Sequence, residues 1–309
     1  MADNDTSVVI CNLTEEPEDS CGAKPRVPVL ACRDALTGAG AAVELVSLRS
    51  DAEIDALLAT FDGPARPDGL DWPTANRDRR LIIAANSDSE VRGVVRRMVR
   101  RWAPPPSRRP ADLADDRTLP DLPPVGILTT GLVKLVDELD LPRDPSDVAK
   151  AVIAGESRRL DLFRSDAGPV TLHGALIGGV GADGHAAAWR GHVELDDTTL
   201  ADPADSILAC AVANGTGYTR LDDAGLAGIE LAPRATLASG TITVAVAVAQ
   251  HTKPRFGRSR VRVEVRRASG RAVSVTPDGE VPMIEDGIDT KLNRKRAWWV
   301  ERGAWAVFG

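Results

Sequence analysis

The sequence predicts an α/β N-terminal domain built on a doubly wound parallel sheet, followed by a β-sandwich-like C-terminal domain. In the first half, apolar strand-like runs alternate with segments of helical spacing, which is the pattern of a parallel sheet with crossover helices. After about residue 158, most segments are strand-like and several alternate apolar and polar residues, most clearly "RVRVEVR" at 260–266. We therefore expect domains over residues 1–158 and 159–309, with the last strand or two returning to the first domain.

The elements of the first domain follow from hydrophobic spacing and from start and stop residues. The segment 51–61, for example, begins with an acidic residue and carries Ile54, Leu57, Leu58 and Phe61 on one face of a helix. Strands are predicted at 6–13, 41–48, 80–85 and 125–130, and helices at 27–39, 51–61, 90–102, 131–141 and 144–156.

Two other segments complete the prediction. Residues 103–124 are rich in proline and charge and predict a loop, whose role the sequence leaves open. In the second domain, helical structure is expected only at about 183–213, and the remaining segments are expected to be strands.

Composition and charge exclude several classes of protein. The 309 residues are 43% hydrophobic and carry a formal charge of -7, which argues against a general nucleic-acid binder with its basic face. The start lacks the basic region of a signal peptide, and the apolar run "TITVAVAVA" is too short to span a bilayer as a helix. None of the four cysteines, Cys11, Cys21, Cys32 and Cys210, forms a CxxC pair, so reduced thiols and a cytoplasmic location are expected.

Contact with a membrane surface and assembly into a homodimer are left open. The arginines of "RGVVRRMVRR" could meet anionic head groups, although the solvated face of an amphipathic helix explains them more simply. Trp298, Trp299 and Trp305 could enter a membrane interface, but their alternation in strands favours packing inside the sandwich.

A polar stretch after the third strand raises the question of function. In "LIIAANSDSEVRGVV" an apolar run is followed by Asn86-Ser87-Asp88-Ser89-Glu90 and then by helical spacing. A strand-to-helix junction of this kind can hold a phosphate on free backbone N–H groups, usually with glycines that let the backbone approach the ligand closely. This stretch has no glycine, so it is either a phosphate turn that has lost its glycines or an unrelated junction.

The order of several landmarks resembles the diacylglycerol kinase catalytic-domain family, the lipid kinase branch of the NAD kinase/diacylglycerol kinase-like fold. The most specific part is "VGILTTGLVKLVDELDLPRDPSDVAKAVIAGESRRLDLF", with Leu141-Pro142, Gly155 and Leu160-Asp161-Leu162 at the family's positions. "GIELAPRATLASGTITVAVAV" and "VTPDGEV" are similar to two later family segments. The resemblance covers nearly the whole chain and implies the family's fold.

The resemblance assigns the polar stretch to a degenerate nucleotide site. Asn86, Ser87, Asp88, Ser89 and Glu90 fall on the family's Gly-Gly-Asp-Gly-Thr turn, with Asp88 on its aspartate and all three glycines and the threonine replaced. Thr129, Thr130 and Gly131 fall near the second phosphate turn, Gly-Thr-Gly, but the Asn-Asp that should follow is missing; Asn12 matches the asparagine of the family's first-strand motif. These residues are the expected nucleotide-binding set, with turn shape retained and phosphate affinity weakened.

The catalytic candidates come from the segment Asp278-Gly279-Glu280. In the family this turn supplies an acidic side chain thought to take the proton from the lipid hydroxyl, which makes Glu280 the candidate base and Asp278 its neighbour. The alternative interpretation is an ordinary hairpin turn, in which Asp-Gly supplies the backbone geometry.

Two functions follow from the resemblance. The first is an ATP-dependent lipid kinase that uses Mg²⁺ and phosphorylates a diacylglycerol-like or sphingoid hydroxyl. The second is a catalytically inactive family member that acts as a nucleotide- or lipid-binding or regulatory protein. ATP and Mg²⁺ are implied by the resemblance alone, and no metal ligands are identified. The expected partner is a lipid substrate or another small molecule, with no nucleic acid.

Overall fold

A computed structural model describes residues 6–13, 26–75, 78–168, 170–181, 184–215, 231, 236–252 and 260–309. The chain divides into two compact units, one formed by Met1–Leu160 with Gly303–Gly309 and the other by Asp161–Arg302. They are called unit 1 and unit 2 below.

Unit 1 is built on a sheet of parallel strands flanked by helices. Its strands are β1 (Ser7–Leu13), β2 (Ala42–Leu48), β3 (Arg79–Ser87) and β4 (Val125–Leu132), joined by the end of the last strand of the chain, β16 (Arg296–Phe308). They lie in the order β2-β1-β3-β4-β16, and the neighbouring pairs are parallel. The helices are α1 (Val27–Gly38), α2 (Asp51–Ala59), α3 (Asp88–Trp102), α4 (Lys134–Glu138) and α5 (Pro145–Ala154), with a 3-10 turn at Pro106–Arg108.

The helices of unit 1 begin and end for identifiable reasons. Ser50 caps α2 by accepting a hydrogen bond from the backbone N–H of Glu53, and Asp144 caps α5. Gly155 ends α5 with a φ of +75°, in the left-handed region that favours glycine. One buried core of this unit joins the sheet to α1 and α5, with members such as Ile10, Leu36 and Val152.

Several predicted boundaries in unit 1 differ from the structure by one or two residues, and three differences concern the carboxyl edge of the sheet. β3 continues to Ser87 and β4 to Leu132, two residues beyond each predicted strand end. The helix predicted at 131–141 is reduced to the five residues of α4, because the first of its residues pair in β4 and Asp140 adopts a φ of 50°.

Unit 2 is a β-sandwich. β5 (Ser157–Ser165) enters it from unit 1, and the remaining strands are β6 (Val170–Thr171), β7 (Gly174–Ile177), β8 (Gly191–Leu195), β9 (Thr198–Ala201), β10 (Ile207–Ala213), β11 (Ile242–Thr252), β12 (Arg260–Gly270), β13 (Ala272–Pro277), β14 (Val281–Glu285) and β15 (Ile288–Leu292). One sheet has the order β12-β11-β10-β7-β14-β15, and the other pairs β16, β13, β8 and β9. Both sheets contribute to one buried core, for example through Val244 and Met283 from the first and Val275 and Trp298 from the second. The predicted fold class is therefore confirmed.

The helix predicted at about 183–213 is wrong. The described residues of this segment form β8, β9 and β10. Asp196, with a φ of 47°, turns the chain between β8 and β9, and its carboxylate accepts hydrogen bonds from the backbone N–H groups of Arg271 and Ala272. These contacts join residues that are far apart in the sequence, so spacing along the chain does not reveal them.

The basic helix and the tryptophans are largely engaged within their own units. Arg97 is buried and pairs with Asp51 and Asp55 of α2, and Arg101 pairs with Asp62. Trp298 and Trp305 are buried. Among the described residues, no helix is long and apolar enough to cross a membrane.

Candidate functional site

The predicted nucleotide-binding residues of unit 1 meet at the carboxyl edge of its sheet, where the strands β1, β3 and β4 end. The chain runs from β1 to β2 on one side and then to β3 on the other, so the strand order reverses between β1 and β3. In parallel sheets, ligands bind at such a switch point, beyond the carboxyl ends of the strands. Asn12 lies at the end of β1 and Asn86 near the end of β3, so both lie at this position.

At this edge β3 and β4 pair where two phosphate turns were expected. Their ladder extends to Ser87 opposite Leu132, after a register shift between Ala85 and Ser87. Gly131 lies against the backbone of Asn86 so closely that a Cβ added to Gly131 would be 2.5 Å from the Asn86 carbonyl oxygen. The glycine is used for close contact between two strands of the protein.

Glu90, in the first turn of α3, accepts two hydrogen bonds at the strand-to-helix junction. Its carboxylate accepts the backbone N–H of Asn86 at 2.6 Å and the side-chain amide of Asn86 at 3.1 Å. A free N–H at a strand-to-helix junction is what makes such a junction an anion site. Here the anion is supplied by the chain itself.

Asp88, the residue that falls on the family's aspartate, is also engaged. Its carboxylate accepts the backbone N–H groups of Leu135 at 2.9 Å and Lys134 at 3.2 Å, so it caps the start of α4. The two N–H groups that begin this short helix are therefore satisfied by an internal carboxylate.

Arg26, which the sequence analysis missed, completes this arrangement. Its guanidinium donates to Oδ1 of Asn86 and, at 2.9 Å, to the Thr130 hydroxyl, which lies 2.9 Å from the same Asn86 oxygen. Ser87 and Ser89 bond each other through their hydroxyls at 2.8 Å. The sequence did contain one indication of this role. Arg26 directly precedes α1, and helices of this fold start at the carboxyl edge of the sheet. We call Arg26, Asn86, Asp88, Glu90 and Thr130 the closing cluster.

Asn12 differs from the other predicted residues. It is 2% exposed, and its Oδ1 is buried without a hydrogen-bond partner in the described part of the chain. The neighbouring thiol of Cys11 is also buried; burial, reinforced by the Glu90 carboxylate, raises its pKa to about 12. Cys11 therefore stays protonated and is a core residue rather than a nucleophile.

Thr129, another of the predicted nucleotide-binding residues, pairs with Ala85 in the ladder between β3 and β4.

Asp278 and Glu280 lie in unit 2, in the turn between β13 and β14. Both are exposed, and Glu280 forms an ion pair with Lys291 of β15 at 2.6 Å. The backbone N–H of Asp278 donates to the carbonyl of Arg190. The turn is exposed and connects strands of two different sheets, so the hairpin expected as the alternative is wrong. The catalytic role of its carboxylates stays a prediction.

The residues present at the closing cluster do not fit a bound Mg-ATP. The backbone N–H of Asn86 is bonded to Glu90, and those of Lys134 and Leu135 are bonded to Asp88, so two carboxylates stand where phosphate oxygens would lie. Within the described residues, no group of three or more His, Cys, Asp or Glu side chains could hold a metal ion.

Comparison with known proteins supports the fold. No family model and no curated protein sequence matches the chain. A crystal structure of a diacylglycerol kinase from Bacillus anthracis str. Sterne superposes with a TM-score of 0.58 at 13% identity, covering 98% of this chain and 96% of that one. A second structure from the same organism, provisionally described as a diacylglycerol kinase, gives a TM-score of 0.62 at 12% identity, with 98% and 96% covered. Across nearly its whole length, the chain therefore has the diacylglycerol kinase-like fold.

Proposed function

We propose that this chain is a non-catalytic diacylglycerol kinase-like protein that binds a lipid or another small molecule without transferring phosphate. The observation that carries the proposal is the bond from the Asn86 N–H to the Glu90 carboxylate, supported by the matching bonds from Lys134 and Leu135 to Asp88. Phosphoryl transfer depends on holding and neutralising the phosphates. A protein whose own carboxylates take the phosphate donors lacks that first requirement.

The charges of the closing cluster support the same conclusion. Glu90 and Asp88 carry two negative charges, and Arg26 supplies one positive charge. A phosphate oxygen placed about 4 Å from either carboxylate would be repelled by roughly 1 to 4 kcal/mol, between bulk water and the partly screened surface of a protein. Repulsion and the loss of the existing hydrogen bonds both oppose triphosphate binding.

An ATP-dependent lipid kinase is the second candidate, with a diacylglycerol-like or sphingoid hydroxyl as acceptor, Mg²⁺ as metal and Glu280 as base. Two observations favour it. The buried Oδ1 of Asn12 has no partner in the described residues, as expected of an atom that awaits a ligand, and Glu280 is exposed. Both residues match family positions in the sequence.

Calorimetry with Mg-ATP and Mg-ADP separates the two candidates. We expect no binding by the folded wild-type protein at several millimolar nucleotide. The double variant Asp88→Ala/Glu90→Ala should gain millimolar binding, because it removes both internal anions. Asp51→Ala/Glu53→Ala is the matched control, since it removes the acidic pair from the first turn of α2. Binding of nucleotide by the wild type would contradict the proposal. Failure of the Asp88/Glu90 variant to bind would contradict the explanation that these two carboxylates exclude phosphate.

A transfer assay tests the second candidate directly. Wild-type protein is incubated with γ-labelled ATP, Mg²⁺ and vesicles that contain either diacylglycerol or sphingosine, and labelled lipid is measured. We expect none. Transfer that is abolished by Glu280→Gln and kept by Glu264→Gln, an exposed carboxylate elsewhere in unit 2, would establish the kinase and overturn the proposal.

A further inference from the structure

Unit 1 has a cavity of about 360 Å³ at the amino edge of its sheet, opposite to the closing cluster. It lies between the start of β3, the residues that precede β4, the end of α5 and the loop at 72–75. This volume falls in the range of roughly 300–1,000 Å³ that small-molecule sites occupy. None of the predicted site residues lines it.

The walls of the cavity are largely aromatic and apolar. Phe61 and Phe308 are almost fully buried, Trp72 is half-buried, and Pro123 and Pro124 complete this surface. The guanidinium of Arg66 lies 4.4 Å from the centre of the Trp72 ring and holds that side chain in place. Such walls suit a planar or apolar body.

Three guanidinium groups line the same cavity. The Arg79 guanidinium lies 5.4 Å from the Phe61 ring, and its Nη2 pairs with Glu44 at 3.0 Å. The Arg79 Nε is buried and has no hydrogen-bond partner within the described residues. An unsatisfied buried donor of a cation is costly, so Arg79 is held in its position by the cavity wall and Glu44 at the expense of one hydrogen bond, and its positive charge lines the cavity.

Arg80 is fixed in position by its surroundings. It donates to the carbonyls of Val152 and Ile153 at the end of α5, and its guanidinium lies 5.9 Å from the Phe308 ring. A Cβ on Gly155 would lie 2.8 Å from Arg80 Nη2, so the glycine leaves the space that this guanidinium fills. Burial lowers the pKa of Arg80 below its usual value, although an arginine remains charged at neutral pH.

Arg159 is the third cation, and Asp121 is the carboxylate that lines the cavity with it. Arg159 Nη1 donates to the carbonyl of Leu122 at 3.1 Å, and its Nη2 lies 3.2 Å from Asp121. Asp121 also pairs with Arg117 at 2.7 Å. The lining therefore contains three guanidinium cations and one carboxylate, and that carboxylate is shared between Arg159 and Arg117. The lining of the cavity is positive as a result.

We propose that this cavity binds a small organic anion, a carboxylate, sulfonate or phosphate attached to a planar or apolar body. The anionic group lies against Arg79 and Arg159, and the body lies against Phe61, Trp72 and Phe308. The occupant is a free aromatic anion or a single lipid chain with an anionic head, since both have this chemistry. The inference does not rest on the function proposed above, because it involves the opposite edge of the sheet.

Two dyes of nearly the same shape test the proposal. 8-Anilinonaphthalene-1-sulfonate carries a sulfonate, and N-phenyl-1-naphthylamine lacks it. Fluorescence titration of the full chain is expected to show the anionic dye binding about tenfold more weakly to Arg79→Gln and to Arg159→Gln, through loss of a charge-assisted hydrogen bond. Arg159→Lys should recover part of the affinity. The neutral dye should change by less than about twofold in all of these variants.

Two further variants locate the dye. Arg33→Gln removes an exposed arginine of α1 that pairs with Asp34, and it should bind both dyes as the wild type does. Thr74→Trp fills the cavity and should abolish binding of both, with folding checked by thermal melting of every variant. Unchanged binding of the anionic dye to Thr74→Trp, or equal effects of Arg33→Gln and Arg79→Gln, would overturn the proposal.

Competition then identifies the kind of occupant. Displacement of the dye by dodecyl phosphate indicates a lipid-like anion, and displacement by 1-naphthoate indicates an aromatic one. If neither displaces it, the cavity does not select organic anions and the proposal is wrong.

Discussion

The two edges of the unit 1 sheet carry side chains of opposite charge. At the carboxyl edge, where proteins of this architecture commonly bind ligands, Glu90 and Asp88 bond to the backbone donors and the strands pair across the gap. At the amino edge, arginines surround a cavity and one of them keeps a buried donor without a partner in the described residues. The comparison teaches that a fold does not fix where a ligand binds, because the side chains at each edge decide this.

Gly131→Val is expected to have the largest effect, because it forces the carboxyl edge apart. The new Cβ would meet the Asn86 carbonyl oxygen at 2.5 Å and its Cα at 2.9 Å, and neither can move without breaking the ladder. We expect a loss of about 3 kcal/mol of stability, as for other overpacked sites. The measurement is urea denaturation.

Gly93→Ala is the control for that variant. Gly93 lies inside α3, and no atom lies within 4 Å of the position that a new Cβ would take, so alanine should stabilise the protein by up to about 1 kcal/mol. Similar destabilisation by both variants would show that Gly131 has no special contact.

Gly155→Ala is the corresponding test at the amino edge. The change strains a residue with a φ of +75° and places a methyl group 2.8 Å from Arg80 Nη2. We expect a loss of roughly 1 to 2 kcal/mol, together with weaker dye binding in the cavity, measured by thermal melting and titration. A destabilised variant with unaltered dye affinity would show that the turn at Gly155 does not contribute to binding in the cavity.

Asp88→Ala should cost less, about 1 kcal/mol, which is typical for the loss of a helix cap. Chemical denaturation measures it, and Ser50→Ala, the cap of α2, is the reference. A variant as stable as the wild type would mean that Asp88 contributes nothing to α4.

Asp62, next to the cavity residue Phe61, should show the smallest and most pH-dependent effect. Burial alone would raise its pKa, but hydrogen bonds from Arg101 and Trp102 outweigh burial and hold the pKa of Asp62 below its usual value. A lowered pKa stabilises the fold above the pKa of the unfolded chain, about 3.9, and this contribution disappears as the pH falls through the lower folded value.

Asp62→Asn should therefore lower the melting temperature at pH 7, and this loss should become smaller at an acid pH below the lowered pKa of Asp62. The loss at neutral pH is expected to be at most about 1 kcal/mol, since the pair is partly solvated. An equal loss at both pH values would show that the charge of Asp62 is not what stabilises the structure.

The sequence predicted the architecture because hydrophobic period and order along the chain are local signals. The alternation in "RVRVEVR" and the helical spacing after Asp88 are examples. It also brought Asn86, Asp88 and Thr130 to one place, since parallel strands end at a common edge. It could not predict how they contact each other. The bonds of Arg26 to Asn86 and Thr130 span 60 and 104 positions of the chain, and no periodicity encodes them.

The amino-edge cavity was missed for a related reason. Phe61 appeared only as an apolar position of a helix, Gly155 as a helix stop and residues 103–124 as a loop. Each description was local, whereas the cavity exists because these residues meet around Arg79 and Arg80. The short α4 shows the opposite limitation, since local spacing favoured a longer helix than the ladder of β4 allows.

The pairing of Ser87 with Leu132 limits which substitutions could give this protein nucleotide binding. Changing Ser87 and Ser89 to glycine would leave Glu90 bonded to Asn86, and removing Glu90 alone would leave Asp88 on the start of α4 and the strands paired. Each single change is expected to cost stability and to gain no ligand, so nucleotide affinity should arise only when several changes are combined. Strong non-additivity is therefore expected between substitutions at Asp88, Glu90 and Gly131. A route to nucleotide binding by single steps would pass through less stable proteins with no compensating function.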